Sequence, residues 1–349
     1  LNLPVFHHSS QSLHTRVSVI IAARNEEEKL DKTIRDILSQ DFPKDLLEVI
    51  VVDDHSEDRT SEIIASYSDQ GVILIKLKED QPLNSYKKKA ISEAIKISSG
   101  ELIVTTDADC RMSSQWLKTI VDYYQQNDFK MISSPVAFYE EKNAFEEMQS
   151  LEFLYLIGLG AATIGHKKPS TCNGANLAYR KDVFYEVKGF QGIDDLASGD
   201  DELLLHKMAA IYPNGIGFCK SEDAIVYTHA KPDLGAFIQQ RKRWASKSTR
   251  YKNKGIVVLG VSIWLFNLVI IINIILGFFN PFYFLLAGVT LLFKFLAEIT
   301  FLIPMCRFAR RQRLLVYQPL LTVVHVLYFV YIGLAGNSGK YNWKDRMVR

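Results

Sequence analysis

Short apolar runs alternate with helical patterns over the N-terminal part of the chain, and the C-terminal part is almost wholly apolar. Val17–Ala22 (VSVIIA) is rich in β-branched residues and reads as a buried strand. Leu30, Ile34, Ile37 and Leu38 then recur at helical spacing, and Pro43 closes that element. Leu46–Val52 predicts a second strand, closing on Asp53 and Asp54. A helix begins near Thr60, Val72–Leu77 reads as a third strand, and Lys87–Ile97 has a helical period. Leu102–Thr106 is a fourth strand, ending at Asp107. Strands alternating with helices predict a mostly parallel sheet in an α/β layered fold. In such sheets ligands bind beyond the carboxyl ends of the strands. The pattern would therefore gather Arg24, Asp53 and Asp107 on one edge.

Beyond that the pattern is less regular. Helices are expected over Ala144–Leu159, Lys181–Val187 and Asp201–Ala210, with a short strand at Asn176–Tyr179. Leu234–Lys247 reads as an amphipathic, basic helix. Three apolar runs follow. Ile256–Phe279 holds no charge, Phe282–Met305 holds only Lys294 and Glu298, and Leu314–Ala335 holds no formal charge, though it carries His325. Each is long enough to cross a hydrocarbon core of ~30 Å as a helix. The organisation expected is a lead-in at 1–16, a catalytic domain at 17–233 and an interfacial helix at 234–254. About three transmembrane helices at 255–336 and a basic tail at 337–349 complete it. Lys294 and Glu298 lie one turn apart inside a membrane run, which suits either a functional pair or an internal ion pair.

Charge and cysteine content narrow the class. The net charge is only +2, which gives no footprint for a nucleic-acid polymer. Cys110, Cys172, Cys219 and Cys306 are scattered without CxxC or Cys/His zinc spacing, as in a reduced, cytosol-facing protein. The chain opens on Leu1 and shows no signal peptide, and a membrane segment upstream of it stays open.

Five segments carry candidate chemistry. Asp107-Ala108-Asp109 sets two carboxylates past a strand end, where they can address one divalent cation or form a plain polar turn. Asp53 past the second strand can accept hydrogen bonds from a base or ribose. Ala22-Ala23-Arg24-Asn25-Glu26 passes the first strand end, with neither GxGxxG nor GxxxxGK[ST]. Ser198-Gly199-Asp200-Asp201 opens a helix, so its acids suit either an N-cap or a general base. Gln240-Arg241-Lys242-Arg243-Trp244 suits lipid headgroups or a diphosphate with a stacked sugar.

Taken in order, VSVIIAARNEEE, VVDDHSEDRT, Lys87-x-x-Ala90, TTDADC, GDDELLL and QRKRW resemble the inverting family-2 glycosyltransferases of the GT-A fold. The resemblance covers roughly Val17–Ser248. It implies that Ala22, Arg24 and Glu26 hold the uridine and that Asp53 binds base or ribose. It puts Lys87 near the donor phosphates and makes Asp107 and Asp109 the ligands of Mg²⁺ or Mn²⁺. Asp201 matches the catalytic base, with Asp200 as its partner acid. Gln240, Arg243 and Trp244 match residues near the donor diphosphate and acceptor, and Asn173, Gly174 and Asn176 match a loop on the acceptor side. Tyr86 stands where the family commonly has glycine, and His229 is a further candidate metal ligand. The implied protein is an integral membrane enzyme that moves a sugar from a UDP-sugar to a lipid or glycan acceptor. It would sit in the bacterial inner membrane among membrane lipids, with its catalytic domain cytoplasmic. A processive polysaccharide synthase and a non-catalytic scaffold of the same fold are the alternatives. Three full crossings would leave Lys340, Lys344, Arg346 and Arg349 on the far side, against the positive-inside rule.

Overall fold

The computed structural model describes residues 3–8, 12–79, 83–251, 253–335, 341–343 and 346–348. Most of the expected tail, including Lys340, Lys344 and Arg349, lies outside the described residues. The chain divides into two compact units. One holds the residues up to Tyr139 together with Leu159–His229. The other takes Glu140–Gly158 out of the stretch expected to be one catalytic domain and joins it to Ala230–Asn342.

The first unit is built in alternation. Strand β1 (Val17–Ala23) leads to helix α1 (Leu30–Leu38), β2 (Leu47–Asp53) to α2 (Thr60–Ala65), and β3 (Val72–Lys76) to α3 (Tyr86–Ile97). Then come β4 (Leu102–Asp107), β5 (Arg111–Met112), α4 (Trp116–Gln125), β6 (Met131–Ser133) and β7 (Val136–Phe138). Helix α5 (Ala144–Gly165), whose residues up to Gly158 belong to the second unit, is followed by β8 (Leu177–Arg180), α6 (Lys181–Glu186), α7 (Glu202–Ile211), β9 (Ile216–Phe218) and β10 (Val226–Thr228).

The main sheet has the order β3-β2-β1-β4-β8-β6-β9, and only β8 runs against the others. A second sheet joins β5, β10 and β7. Strands β1, β2 and β4 are buried along nearly their whole length, as continuous apolar runs require when helices cover both faces. Their register brings function-bearing positions together. Ala22 pairs with Asp107 across β1 and β4, and Ala23 pairs with Asp53 across β1 and β2.

Helix α1 buries Leu30, Thr33, Ile34 and Ile37, so a threonine takes the inward place expected for Leu38. Ile34 is fully buried, and truncating such a side chain costs about 2–5 kcal/mol. The short strands β5–β7, β9 and β10 have only two or three residues each, too few for an alternating pattern to register. Helix α4 carries a helical signal of its own in Trp116, Leu117, Ile120 and Val121, all buried.

The second unit contains α8 (Leu234–Ser246), α9 (Lys254–Gly277), α10 (Phe282–Phe308) and α11 (Gln318–Ala335). Asn280 and Pro281 form a tight connection: Phe282 N–H donates to Asn280 Oδ1 at 3.0 Å as α10 begins. Among the described residues three segments, Lys254–Gly277, Phe282–Phe308 and Gln312–Ala335, are long and apolar enough to cross a membrane. Val258, Leu265, Phe293 and Leu327 stand exposed on them, as side chains facing lipid would. Lys294 and Glu298 form an internal ion pair, and Glu298 Oε2 also accepts from Gln318 Nε2 and Thr322 Oγ1, each at 2.9 Å. The charges inside α10 thus neutralise each other, and α11 adds two hydrogen bonds to the carboxylate.

Candidate active site

The loops past β1 and β2 are stitched to each other. Arg24, buried, donates to the carbonyls of Asp54 (3.1 Å) and His55 (2.8 Å). The Glu26 amide donates to Thr60 Oγ1 at 2.8 Å, and the Glu26 carbonyl accepts from Lys29 and Leu30 as α1 starts. Asp53 is buried and accepts the Ser56 amide at 3.0 Å. His55 bridges Asp54 and Glu79, at 3.0 Å to each. Arg24 and Glu26, expected to meet a ligand directly, therefore also hold the two loops that frame Asp53.

The turn past β4 is pinned from below. Thr33 of α1 donates to the carbonyls of Ala108 (2.9 Å) and Cys110 (2.8 Å). Burial, and then the nearby Asp109 and Asp107, push the Cys110 thiol well above its ordinary pKa. Asp107 and Asp109 keep partly exposed carboxylates. Asp109 has Lys29 at 3.9 Å, and Asp107 accepts from Lys87 Nζ at 2.8 Å.

Lys87 is the centre of the cluster. Its Nζ also lies 3.1 Å from Asp200 Oδ2. Burial alone would lower its pKa, but Asp107, Asp200 and Asp201 outweigh that and hold the ammonium above its ordinary value. Asp201 caps α7 by accepting the Glu202 amide at 2.6 Å, and its other oxygen accepts the Gly174 amide at 3.1 Å. Thr105 of β4 holds that loop by donating to the Gly174 carbonyl at 2.9 Å. A Cβ at Gly174 would stand 3.1 Å from Asp200 Oδ2 and 3.6 Å from Lys87 Nζ, so only glycine leaves the cluster undisturbed. Residues from β4, α3, the 173–176 loop and the start of α7 thus converge.

Two expected residues stand elsewhere. Asn176, expected on the acceptor side, is fully buried. It donates to the carbonyls of Pro135 and Ala224 (2.7 Å each) and accepts Trp116 Nε1–H at 3.0 Å, so it ties core elements instead of lining a cleft. Asn173 caps its own turn by accepting the Ala175 amide. His229 packs on Tyr139 with ring centroids 4.6 Å apart. Among the described residues no three His, Cys, Asp or Glu side chains group as metal ligands, so His229 does not complete a set with Asp107 and Asp109.

In the second unit, the QRKRW segment lies on α8. Its organising residue is Arg241, which nothing in the local spacing singles out. Arg241 is buried, donates to Glu152 Oε2 at 2.6 Å and to Gln240 Oε1 at 2.8 Å, and stacks 4.2 Å from the Trp244 ring. A pair of oppositely charged residues far apart in sequence leaves no local pattern, so only tertiary structure reveals it. Thr33, Thr105 and Lys29 were hidden in the same way.

A mostly parallel central sheet with an acidic turn past β4 and an acid pair heading α7 defines a GT-A-like α/β fold. The mannosyltransferase PcManGT from Pyrobaculum calidifontis, solved with GDP-Man and Mn²⁺, shares this fold: TM-score 0.56 and 19% identity over 92% of this chain and 91% of that one. Residues 18–188, just under half of the chain, match the model of glycosyl transferase family 2. The chain is 31% identical over 193 residues to the glycosyltransferase AglE of Haloferax volcanii, covering 53% of this chain and 58% of that protein. It is 28% identical over 129 residues to the beta-monoglucosyldiacylglycerol synthase of Trichormus variabilis, covering 37% of this chain and 28% of that enzyme. The chain thus spans little more than half of the first relative and about a quarter of the second.

Proposed function

We propose that the chain is an inverting, metal-dependent glycosyltransferase moving a sugar from a UDP-sugar to a lipid or lipid-linked acceptor at the cytoplasmic face of a cell membrane. The observation that carries this reading is the convergence of Asp107, Asp200 and Asp201 on Lys87 and Gly174 beyond the sheet's carboxyl edge. Asp201 takes the proton of the acceptor hydroxyl as that oxygen attacks the anomeric carbon. Its capping bond to Glu202 N–H and its bond to Gly174 N–H hold the carboxylate in one orientation before the acceptor arrives. Lys87, held charged among the acids, faces the donor phosphates. Asp53 takes the base or ribose, framed by the loops that Arg24 and Glu26 hold.

Asp107 and Asp109 form an oxygen-only donor set of two accessible carboxylates, which suits a hard cation whose other ligands are phosphate and water oxygens. Bound there, Mg²⁺ or Mn²⁺ would offset charge on the leaving diphosphate. For Gln240, Arg243 and Trp244 the reading rests on the QRKRW resemblance alone. A lipid acceptor and a membrane setting are supported by the three long apolar segments and by a relative named for making a glucosylated diacylglycerol. The cytoplasmic orientation follows from where nucleotide sugars are found.

The test is transfer from radiolabelled UDP-sugars into membrane lipid extract, with product identified by mass spectrometry. Asp201→Asn is expected to lower the rate by about 10²–10⁴-fold while UDP binding persists. An Asp201→Asn protein with normal transfer would remove the base assignment.

A further inference from the structure

Lys88, next to the lysine at the centre of the cluster, is one of the largest fully buried side chains in the protein, at 1% exposure. The two neighbours leave α3 in different directions. Lys87 reaches Asp107 and Asp200, whereas Lys88 Nζ donates to the main-chain carbonyls of Leu196 (2.5 Å) and Ser198 (2.7 Å). Burying an ammonium is expensive, and it is tolerated where strong acceptors replace the lost water. Both acceptors lie in the segment that runs directly into Gly199, Asp200 and Asp201.

That segment has little freedom to settle elsewhere. Gly199 sits in the left-handed region at φ +85°, and a Cβ there would meet Leu203 Cδ1 at 2.8 Å. Ser198 and Leu196 are themselves buried. Downstream, Asp201 is fixed as the cap of α7. The clamp at 196–198, the left-handed turn at 199 and the helix start at 202 together set where the two carboxylates stand. Because one helix carries both lysines, α3 sets the Lys87 ammonium and the acid-pair loop in a single frame.

We propose that Lys88 is a positioning residue: it acts through the 196–198 main chain to hold Asp201 in line for proton removal, without touching donor or acceptor. The inference rests on the glycosyltransferase reading above. A displacement near 1 Å at a reacting group can cost about 10²-fold in rate, whereas donor binding through Asp53 and the Asp107–Asp109 turn is left intact.

The experiment compares the unaltered full chain with Lys88→Met and Lys88→Arg. Binding of UDP with Mn²⁺ is measured by calorimetry. The rate constant kcat and the Michaelis constant KM are measured for UDP-glucose, UDP-N-acetylglucosamine and UDP-glucuronate with lipid extract. For Lys88→Met the expected result is a kcat lower by about 30-fold or more, with UDP affinity and donor KM changed less than about threefold. Lys88→Arg, which can still donate to both carbonyls, is expected to recover most of the kcat. A purely structural role predicts instead a lower melting temperature with unchanged kcat per folded molecule, and that result overturns the proposal. Where Lys88→Met does not fold, Lys88→Gln, which loses the charge but keeps an N–H donor, is expected to lower kcat less than Lys88→Met would while leaving UDP affinity intact, and an unchanged kcat with a lower melting temperature overturns the proposal. An unaltered protein that transfers from none of these donors would sink the parent reading and this inference with it. Full activity in folded Lys88→Met, beside an active parent, would sink this inference alone.

Discussion

Replacing Glu152 by glutamine removes one charge from a buried pair while keeping its shape, and the structure sets the size of the effect. Arg241 and Glu152 side chains are 3% and 8% exposed, and their closest approach is 2.6 Å. The guanidinium is enclosed further by Phe237 at 4.5 Å and Trp244 at 4.2 Å. Water is therefore poorly placed to solvate Arg241 once its carboxylate is gone. Breaking a buried pair from one side costs about 3–5 kcal/mol, because a charge is left uncompensated. The amide oxygen of glutamine still accepts a hydrogen bond, which points to the lower figure. At about 2–4 °C per kcal/mol for domains of this size, the melting temperature should fall by about 6–12 °C. The assay is tryptophan fluorescence on detergent-solubilised protein during heating. The paired change Glu152→Met with Arg241→Met removes both charges and should recover most of that loss, since buried pairs and apolar replacements are often near equal. A Glu152→Gln protein melting within about 1 °C of the parent would refute the claim that this pair is desolvated.

Gly174→Ala should lower transfer by about tenfold or more, because its Cβ would press on Asp200 at 3.1 Å. Stability should change by only about 1–3 kcal/mol, the usual range for overpacking, and wild-type kcat in this variant would contradict the placement of the loop. Asp109→Asn should raise the Mn²⁺ concentration needed for half-maximal transfer about tenfold or more, since even losing a hydrogen-bond partner of a metal ligand costs about 10–100-fold in affinity. Its melting temperature should stay close to the parent's, because Asp109 is partly exposed and its lysine neighbour lies 3.9 Å away. An unchanged Mn²⁺ dependence would count against Asp109 as a ligand.

Much of the architecture was written along the chain. The runs at β1, β2 and β4 and the helical spacing of α1 and α3 identify themselves, because continuous apolar strands and amphipathic helices follow from local geometry. The acids past each strand were legible too, since a parallel sheet sends every strand's carboxyl end to one edge. So were the three long apolar segments, whose length speaks for itself. What stayed hidden depends on residues far apart in sequence. Asn176 looks like a loop residue, yet Trp116, Pro135 and Ala224 take its amide into the core. Arg241 looks like one more basic residue beside a membrane, yet Glu152 on another helix makes it a buried anchor. Lys88 differs from its neighbour Lys87 in nothing that a linear pattern records. The sequence alone determined which elements form and which edge of the sheet carries the acids, because periodicity and strand direction are local properties. Only the tertiary structure decided which charged side chains face the cluster and which are buried to hold it, because desolvation and partner choice exist only once the chain has packed.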